Sequence, residues 1–264
     1  MSGNNHFSRR NFLRIGSVGL GATMLSGCDV LDGLNNQDNV LRAFMERANS
    51  LTFAAQRGLL DRTKLAQEFS LADIRQPQRP NGVTNPLDGD YLEHVSNRFA
   101  NYRLSVTGLV NKPLSLSLAD IQAMTSRTQI TRHDCVEGWS CIASWTGVPL
   151  SVILDHAGVK PEARFVLVNC FDTIERTLSG GVKYYESIDL VDAMHPQTIL
   201  AYGMNNAPLP VPNGAPLRLR VERQLGYKMA KYIRSIELID DFSKIGGGNG
   251  GYWEDRGYEW YAGI

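Results

Sequence analysis

Two cysteines lie close together among charged residues and tryptophans in the segment QITRHDCVEGWSCIASWTGVPL, residues 129–150. The first, Cys135, directly follows TQITRH, which is typical of a β-strand, so its thiol is expected at a strand end, where rigid elements often hold functional side chains. Arg132 and His133 precede it, and positive charge this close is expected to lower the pKa of the thiol. The residue types leave three roles for Cys135: a catalytic nucleophile, a disulfide partner of Cys141, or a metal ligand.

These three roles make different demands on the rest of the chain. A nucleophile needs a base and a residue that orients the base, and no local pattern singles out such a set. A disulfide between Cys135 and Cys141 would close a very short loop, and the C-x5-C spacing is poor for zinc. A single thiolate bound to a soft metal is favoured by a small margin, and the other two roles stay open. His133 is predicted on the other face of the strand from such a metal site.

The N-terminus indicates where the protein works. Arg9 and Arg10 precede the short apolar run IGSVGLGATML, which is typical of a twin-arginine export signal. LSGC, ending at Cys28, resembles the lipobox of bacterial lipoproteins, and Asp29 resembles a signal for retention at the inner membrane. We predict that residues 1–27 are removed and that Cys28 is lipidated, which gives a periplasmic protein anchored to the inner membrane; an ordinary cleavage site is the alternative. Because this route exports folded proteins, it also favours a cofactor bound before export.

The number of cysteines favours a protected thiol. The chain has four cysteines, and setting Cys28 aside leaves Cys135, Cys141 and Cys170. An odd number means that at least one thiol has no intramolecular disulfide partner. In an oxidising compartment, burial or a metal would have to protect that thiol.

Composition and patterning predict an α+β fold with mixed sheets and short helices. Removing residues 1–27 leaves 24 basic and 27 acidic residues, a balance that argues against a nucleic-acid partner. Residues 28–40 are polar and are predicted to be a tether, followed by a single domain over residues 41–264. Two short helices with a break near Gly58 are expected before residue 69. The glycine- and aromatic-rich C-terminus is expected to pack on the body near the mouth of the site.

Three segments in order resemble one known family. TRHDCVEGWSCIASWTGVPL, YYESIDLVDAMHPQTILAYGMN and LPVPNGAPLRLRVERQLGYKMAKYIRSIEL are similar to motifs of the sulfite-oxidase-like molybdopterin-dependent oxidoreductases, over roughly residues 80–240. The likeness is greatest to the bacterial twin-arginine-exported branch, which includes methionine-sulfoxide reductases. It implies a sulfite-oxidase-type molybdopterin-binding fold, a molybdenum-molybdopterin cofactor and an oxidoreductase that transfers oxygen atoms or electrons at an oxo-molybdenum centre.

The resemblance also assigns residues. It implies that Cys135 is the protein ligand to molybdenum and that Glu137 is a carboxylate close to the metal. Cys170 falls where that branch has a threonine that contacts the cofactor. The remaining cofactor-binding positions are Asn213, Arg218, Met229, Ala230 and Lys231, together with Asn81 or Asn85 in the Asn-rich loop.

Glu137 bears on the substrate. Sulfite oxidases carry arginines near the metal cysteine, whereas a carboxylate at this position would repel an anion. A small neutral substrate such as a sulfoxide is therefore expected rather than sulfite, with electrons supplied by a membrane-bound haem protein or another electron-transfer partner. Two alternatives remain: a lipid-anchored binding or scaffold protein without cofactor, and a thiol enzyme that uses Cys135.

Overall fold

The computed structural model describes residues 40–59, 62–178 and 180–264. The predicted signal, the tether before residue 40 and Cys28 lie outside the described residues, so their roles stay predictions. The chain divides into two units between residues 52 and 53, and the second unit, residues 53–264, carries the sheets. In the described part of the chain, no helix is long and apolar enough to cross a membrane.

The first helix differs from the prediction. A single helix, α1, runs over Val40–Leu59 with Gly58 inside it, and residues 62–69, which the structure describes, contain no second helix. Beyond α1 the backbone bonds to the body instead, since the amide of Ala66 donates to the side-chain oxygen of Gln197 at 2.7 Å and that of Phe69 to the carbonyl of Ile130 at 2.8 Å. The expectation of two short helices was therefore wrong, because tertiary hydrogen bonds replace helical ones over this stretch.

The second unit contains a five-stranded mixed sheet. Its order is β2-β1-β10-β5-β6, in which β1 and β10 are parallel and the other neighbours antiparallel. The strands are β1 (Arg103–Gly108), β2 (Leu114–Ser117), β5 (Phe165–Thr177), β6 (Gly180–Asp189) and β10 (Ile233–Ile239).

A second sheet carries the cysteine segment. Its order is β3-β4-β7-β8, with β9 also paired to β7 and every pairing antiparallel. The strands are β3 (Arg127–Cys135), β4 (Trp139–Pro149), β7 (Ile199–Met204), β8 (Ala207–Pro208) and β9 (Arg218–Arg220). Together the two sheets confirm the predicted α+β class.

The helices of this unit are short. They are α2 (Gly89–Ser96), α3 (Leu118–Gln122), α4 (Leu150–Ala157) and α5 (Leu190–Ala193), with single 3-10 turns at Leu71–Asp73, Val211–Asn213, Gly226–Lys228 and Glu254–Arg256. Ser117 opens α3 as a capping box with Asp120. The main core is apolar and packs side chains of β1, β5 and β10 against α4; it includes Leu104, Ile153, Val168 and Ile236.

The C-terminal tail, residues 240–264, packs on the body as predicted. Tyr252 is buried, and the amide of Tyr252 donates to the carbonyl of Tyr185 at 3.0 Å. The backbone of Gly251 forms an isolated bridge with Glu186. The tail is therefore part of the folded unit rather than a loose end.

Candidate active site

Cys135 is the last residue of β3 and opens a tight hairpin into β4. It lies opposite Trp139, and the amide of Gly138 donates to its carbonyl at 3.0 Å. Gly138 has φ +82°, a conformation that suits glycine in this three-residue turn. Cys141 lies opposite His133 instead, and Cys135, Cys141 and Cys170 are all free thiols. The disulfide role is thereby excluded.

The predicted lowering of the Cys135 pKa is wrong. Burial raises the pKa of this thiol, the charge of Glu137 also raises it, and Arg218 and Arg79 oppose the rise. Arg132 does not act on it, because its guanidinium pairs with Asp134 at 2.9 Å. In the protein without a metal, Cys135 is not an activated thiolate, which counts against the thiol-enzyme alternative.

His133 lies on the same face of β3 as Cys135, which corrects the prediction. Residues two apart on a strand share a face. The imidazole is buried, with Nδ1 3.3 Å from Met229 Sδ and 3.2 Å from the guanidinium of Arg220. Burial, with Arg218 and Arg220, holds the pKa of His133 well below its usual value, so the ring is neutral. A Cβ on Gly226 would lie 2.3 Å from this ring, so only glycine permits this approach.

A cavity of about 360 Å³ opens in front of Cys135. This size lies in the range of small-molecule and cofactor sites. Five residues predicted from the sequence line it: Asn81, Cys135, Glu137, Met229 and Lys231. The structure thus brings together residues from the Asn-rich loop, the cysteine hairpin and the GYKMAK segment.

Lys231 is a buried cation in this cavity wall. Its ammonium donates to the backbone carbonyls of Asn81 at 2.6 Å and Pro212 at 3.1 Å, and to that of Val83. It has no carboxylate partner among the described residues. Burial and the neighbouring Arg218 lower its pKa to about 7. The charge of Asp172 acts on Lys231 and opposes this lowering, but no ion pair joins the two residues. A buried ammonium without an ion-pair partner is costly, so this position suits an anionic group of a ligand.

Arg218 is a second buried cation close by. Its guanidinium donates to the carbonyl of Asn213 and to the side-chain oxygen of Asn81, each at 3.1 Å, and lies 5.2 Å from the ring centroid of Trp145. Its Nε atom is buried with no hydrogen-bond partner in the described part of the chain. Burial and Arg220 lower its pKa to about 9. Asn81 therefore contacts both cations and links them.

The backbone after Lys231 is held in an unusual conformation. Tyr232 has φ +55°, which costs a non-glycine residue roughly 1–2 kcal/mol. Its amide donates to the carbonyl of Gly214 at 3.2 Å and its hydroxyl to the carbonyl of Val83 at 2.9 Å. These bonds fix the direction of the Lys231 side chain by tying it to both the NGAPLR segment and the Asn-rich loop.

The remaining predicted site residues lie elsewhere. Asn213 and Ala230 are buried and do not line the cavity. The carbonyl of Asn213 accepts a hydrogen bond from Arg218, and Ala230 directly precedes Lys231 in the chain. Asn85 is exposed and does not line the cavity. Cys170 is buried in the main core, opposite Ile233. Cofactor contact by Asn85 or Cys170 stays a prediction.

Comparison with known proteins identifies the family. The oxidoreductase molybdopterin binding domain matches residues 92–245, more than half of the chain. The protein belongs to this molybdopterin oxidoreductase family. It is therefore an oxidoreductase of the sulfite-oxidase-like kind, whose cofactor is molybdenum-molybdopterin.

Two similar proteins carry names of methionine-sulfoxide reductases, and one solved structure is a sulfane dehydrogenase. A protein of Azospira oryzae, provisionally named protein-methionine-sulfoxide reductase subunit YedZ1, is 34% identical over 97% of this chain and 88% of its own length. The methionine-sulfoxide reductase catalytic subunit MsrP of Xanthomonas campestris is 36% identical over 54% of this chain, which spans 46% of that relative. The structure of the sulfane dehydrogenase SoxCD of Paracoccus pantotrophus superposes with a TM-score of 0.47 and 27% sequence identity. The aligned region covers 54% of this chain and 39% of the SoxCD chain.

The residues of the cavity fit a molybdopterin. Lys231 and Arg218 offer two buried positive charges for the phosphate of the pterin, and the unsatisfied Nε of Arg218 leaves a donor free. Cys135 supplies a soft thiol on the same cavity wall. When bound, the cofactor supplies the two-electron redox chemistry of this family.

Sequence reasoning missed several cavity residues. Asp172 lines the cavity from β5, and Tyr184, Tyr227, Trp253 and Tyr258 add aromatic surface. The density of aromatic residues in the tail was the one sequence signal that pointed to part of this set. No pattern around Asp172 marks it out, because it lies where β5 departs from regular pairing.

Neighbouring groups partly compensate the negative charge of the Glu137 carboxylate, which the sequence did not indicate. Its carboxylate is 3.7 Å from the guanidinium of Arg79 and accepts a 2.9 Å hydrogen bond from the indole of Trp139. Its side chain is 51% exposed, at the open side of the cavity. The predicted repulsion of an anionic substrate is thus reduced by Arg79 and by solvent.

We expect Lys231 to make the stability of the cofactor-free protein depend on pH. Its pKa is near 7 in the fold and near 10.5 when unfolded, so the unfolded chain binds more protons between these values. Stability therefore rises as pH increases from 7 to 9, and Lys231→Met should reduce this rise by about 1–2 kcal/mol. Urea unfolding of both proteins at the two pH values measures the effect. An equal rise in wild type and variant would contradict the assignment.

Proposed function

We propose that the protein reduces methionine sulfoxide with electrons from a separate partner. The observation that carries this proposal is the cavity itself, in which Cys135 and Lys231 share a site with an aromatic wall, and Arg218 is joined to it through Asn81. The relatives named as methionine-sulfoxide reductases support the choice of substrate. Cys135 is proposed as the thiolate ligand of molybdenum, and Glu137 as a carboxylate at the entrance.

The lining of the cavity supports a neutral substrate. Lys231, the one ammonium among the described lining residues, is proposed to hold the phosphate of the cofactor, and Glu137 lies at the open side. An anion such as sulfite would then find no other cation among the described lining residues. Arg79 lies outside this lining and is paired with Glu137, and its side chain is 64% exposed. A sulfoxide carries no net charge and avoids this conflict.

Asp172 is proposed to hold a proton for the reaction. Reduction of a sulfoxide to a thioether and water consumes two electrons and two protons. The Oδ1 atom of Asp172 is buried without a hydrogen-bond partner among the described residues, and the side chain lines the cavity. Burial raises its pKa to about 7, so the carboxyl can carry a proton close to neutral pH.

Asp172→Asn is expected to lower kcat by about 10- to 100-fold and to remove a pH dependence near 7. The proton is present below the pKa, so wild-type kcat should fall as pH rises from 6 to 8. The variant should show a flat profile over this range. A full set of pH profiles measured with saturating methionine sulfoxide would decide this, and an unchanged profile in Asp172→Asn would reject the role.

Electron supply and location complete the proposal. The name of the MsrP relatives describes them as catalytic subunits, which supports a partner subunit for this chain too. We place the protein in the periplasm, anchored through Cys28 and coupled to a membrane-bound haem protein, on the basis of the twin-arginine and lipobox-like residues. Mass spectrometry of the mature N-terminus tests the anchor, and an unmodified cysteine or its removal would reject it.

The test of the proposed reaction uses the loaded, full-length protein. Reduced viologen dye should be oxidised when methionine sulfoxide is added, and sulfite should not reduce an acceptor dye at a comparable rate. Cys141→Ser serves as the matched control, since this thiol is on the same hairpin but not in the cavity lining. Sulfite oxidation without sulfoxide reduction would contradict the proposal.

A further inference from the structure

The C-terminal tail supplies part of the cavity wall. Trp253 and Tyr258 both line the cavity that Cys135 faces. Their rings stack with centroids 5.3 Å apart and an angle of 28° between planes, and Tyr227 meets Tyr258 edge-on at 5.2 Å. The family match ends at residue 245, so this aromatic wall comes from outside the matched domain.

The tail is held in place by a buried charge cluster. Lys228 is fully buried and its ammonium lies 2.5 Å from a carboxylate oxygen of Glu186 and 2.6 Å from one of Glu254. Glu254 immediately follows Trp253. A Cβ added at Gly251 would lie 2.1 Å from a carboxylate oxygen of Glu254, so only glycine fits beside this side chain. The position of the Trp253 ring is thus fixed by contacts that the substrate does not make.

Further bonds hold the second ring. The hydroxyl of Tyr227 donates to the carbonyl of Glu259 at 2.6 Å, next to Tyr258. The indole of Trp260 donates to the hydroxyl of Ser187 at 2.9 Å, and Tyr185 bonds Asp255. A rigid aromatic pair loses little conformational freedom when a ligand packs on it.

The chemistry of this wall suits one kind of ligand. The methyl and methylene groups beside the sulfur of a methionine sulfoxide stay apolar and can pack on aromatic rings, and the adjoining Val136 and Ile174 are also apolar. Tyr258 is 38% exposed and Val136 44% exposed, so the wall reaches the solvent. A side chain that projects from a larger molecule can therefore enter along it.

We propose that Trp253 and Tyr258 form a substrate-binding wall that selects the methyl sulfoxide group of an oxidised methionine side chain. The inference rests on the proposed function and adds the residues that recognise the substrate. It also explains why the tail is anchored so firmly: a displaced tail would remove one side of the substrate site.

The test measures binding without turnover. Calorimetric titration of the loaded protein with N-acetylmethionine sulfoxide amide, in the absence of any electron donor, gives Kd directly. Trp253→Ala should weaken binding by about 10-fold and Trp253→Phe by less than about 3-fold. Tyr258→Ala is a second, more exposed truncation with the same expected direction. Tyr261→Phe, a tail variant outside the cavity lining, is the matched control and should match wild type.

The outcomes separate the two proposals. Molybdenum content and circular dichroism of each variant first establish that cofactor and tail are in place. If Trp253→Ala and Tyr258→Ala both keep wild-type affinity while the protein reduces sulfoxides, the proposed substrate-binding wall is rejected. The proposed function is then unaffected. A wild-type protein that neither binds nor reduces the sulfoxide overturns both.

Discussion

Cys135→Ser is expected to abolish sulfoxide reduction, with a loss of at least about 1,000-fold in kcat, while the melting temperature of the cofactor-free protein changes little. Cys135 is partly exposed at a hairpin and belongs to neither described core cluster, whereas a serine hydroxyl is a poor ligand for a soft metal. Dye-linked activity and thermal unfolding of the cofactor-free variant measure the two effects.

Cys141→Ser controls for a general effect of removing a thiol from this hairpin. Its sulfur contacts the side chain of Gln78 and lies outside the cavity lining. We expect it to keep most of the activity. Equal losses in the two variants, or an active Cys135→Ser, would show that the chemistry does not depend on Cys135.

Lys228→Met should have the largest effect on stability. It leaves the buried carboxyl groups of Glu186 and Glu254 without their counter-charge, and breaking a buried ion pair in this way costs about 3–5 kcal/mol. The pKa of Glu186 is already raised by its burial. Lys228 opposes this rise, so the buried carboxyl takes up a proton more readily once Lys228 is replaced. A folded-state pKa raised above the unfolded one lowers stability as pH increases, so the variant should lose less stability at pH 5.5 than at pH 8.

Urea unfolding at both pH values measures this loss, and limited proteolysis should show the tail cut earlier in Lys228→Met. Lys244→Met, an exposed lysine in the same tail, should change stability by less than about 0.5 kcal/mol. Adding Glu186→Gln and Glu254→Gln to Lys228→Met should restore much of the stability, because the buried charges are removed together. Failure of this triple variant to recover would mean that packing, not charge, holds the tail.

The strand end at Cys135 could be predicted because its signals are local. The strand pattern of TQITRH directly precedes Cys135, and the structure ends β3 at this residue. Resemblance to a family then named Lys231 and Arg218 as cofactor-binding residues, which stays a prediction. Both are buried, and neither forms an ion pair in the described part of the chain.

The rest of the site depends on contacts between distant parts of the chain. Trp253 and Tyr258 line the same cavity as Cys135 although more than 100 residues separate them in the chain. The buried partners of Lys228 and the bonds of Tyr227 and Trp260 explain how they are held. On β5, the pairing with β6 shifts between Asn169 and Thr173. Simple alternation cannot tell which side chain in that stretch faces the cavity, so no sequence signal marked Asp172, which lines it.

The prediction that the pKa of Cys135 is lowered was wrong for a physical reason as well. Proximity in sequence suggested Arg132, but its guanidinium is turned to Asp134, and the imidazole of His133 is buried and neutral. Burial then outweighs the charges that remain. Charge near a residue in the sequence is therefore a weak guide to the electrostatics of a site.

X-ray absorption at the molybdenum edge tests the role of Cys135 most directly. The measurement compares the number of sulfur neighbours of molybdenum in the loaded wild type, Cys135→Ser and Cys141→Ser. We predict the same number in wild type and Cys141→Ser and one sulfur fewer in Cys135→Ser. An unchanged sulfur shell in a Cys135→Ser protein that retains molybdenum would contradict the assignment of this thiol as the ligand.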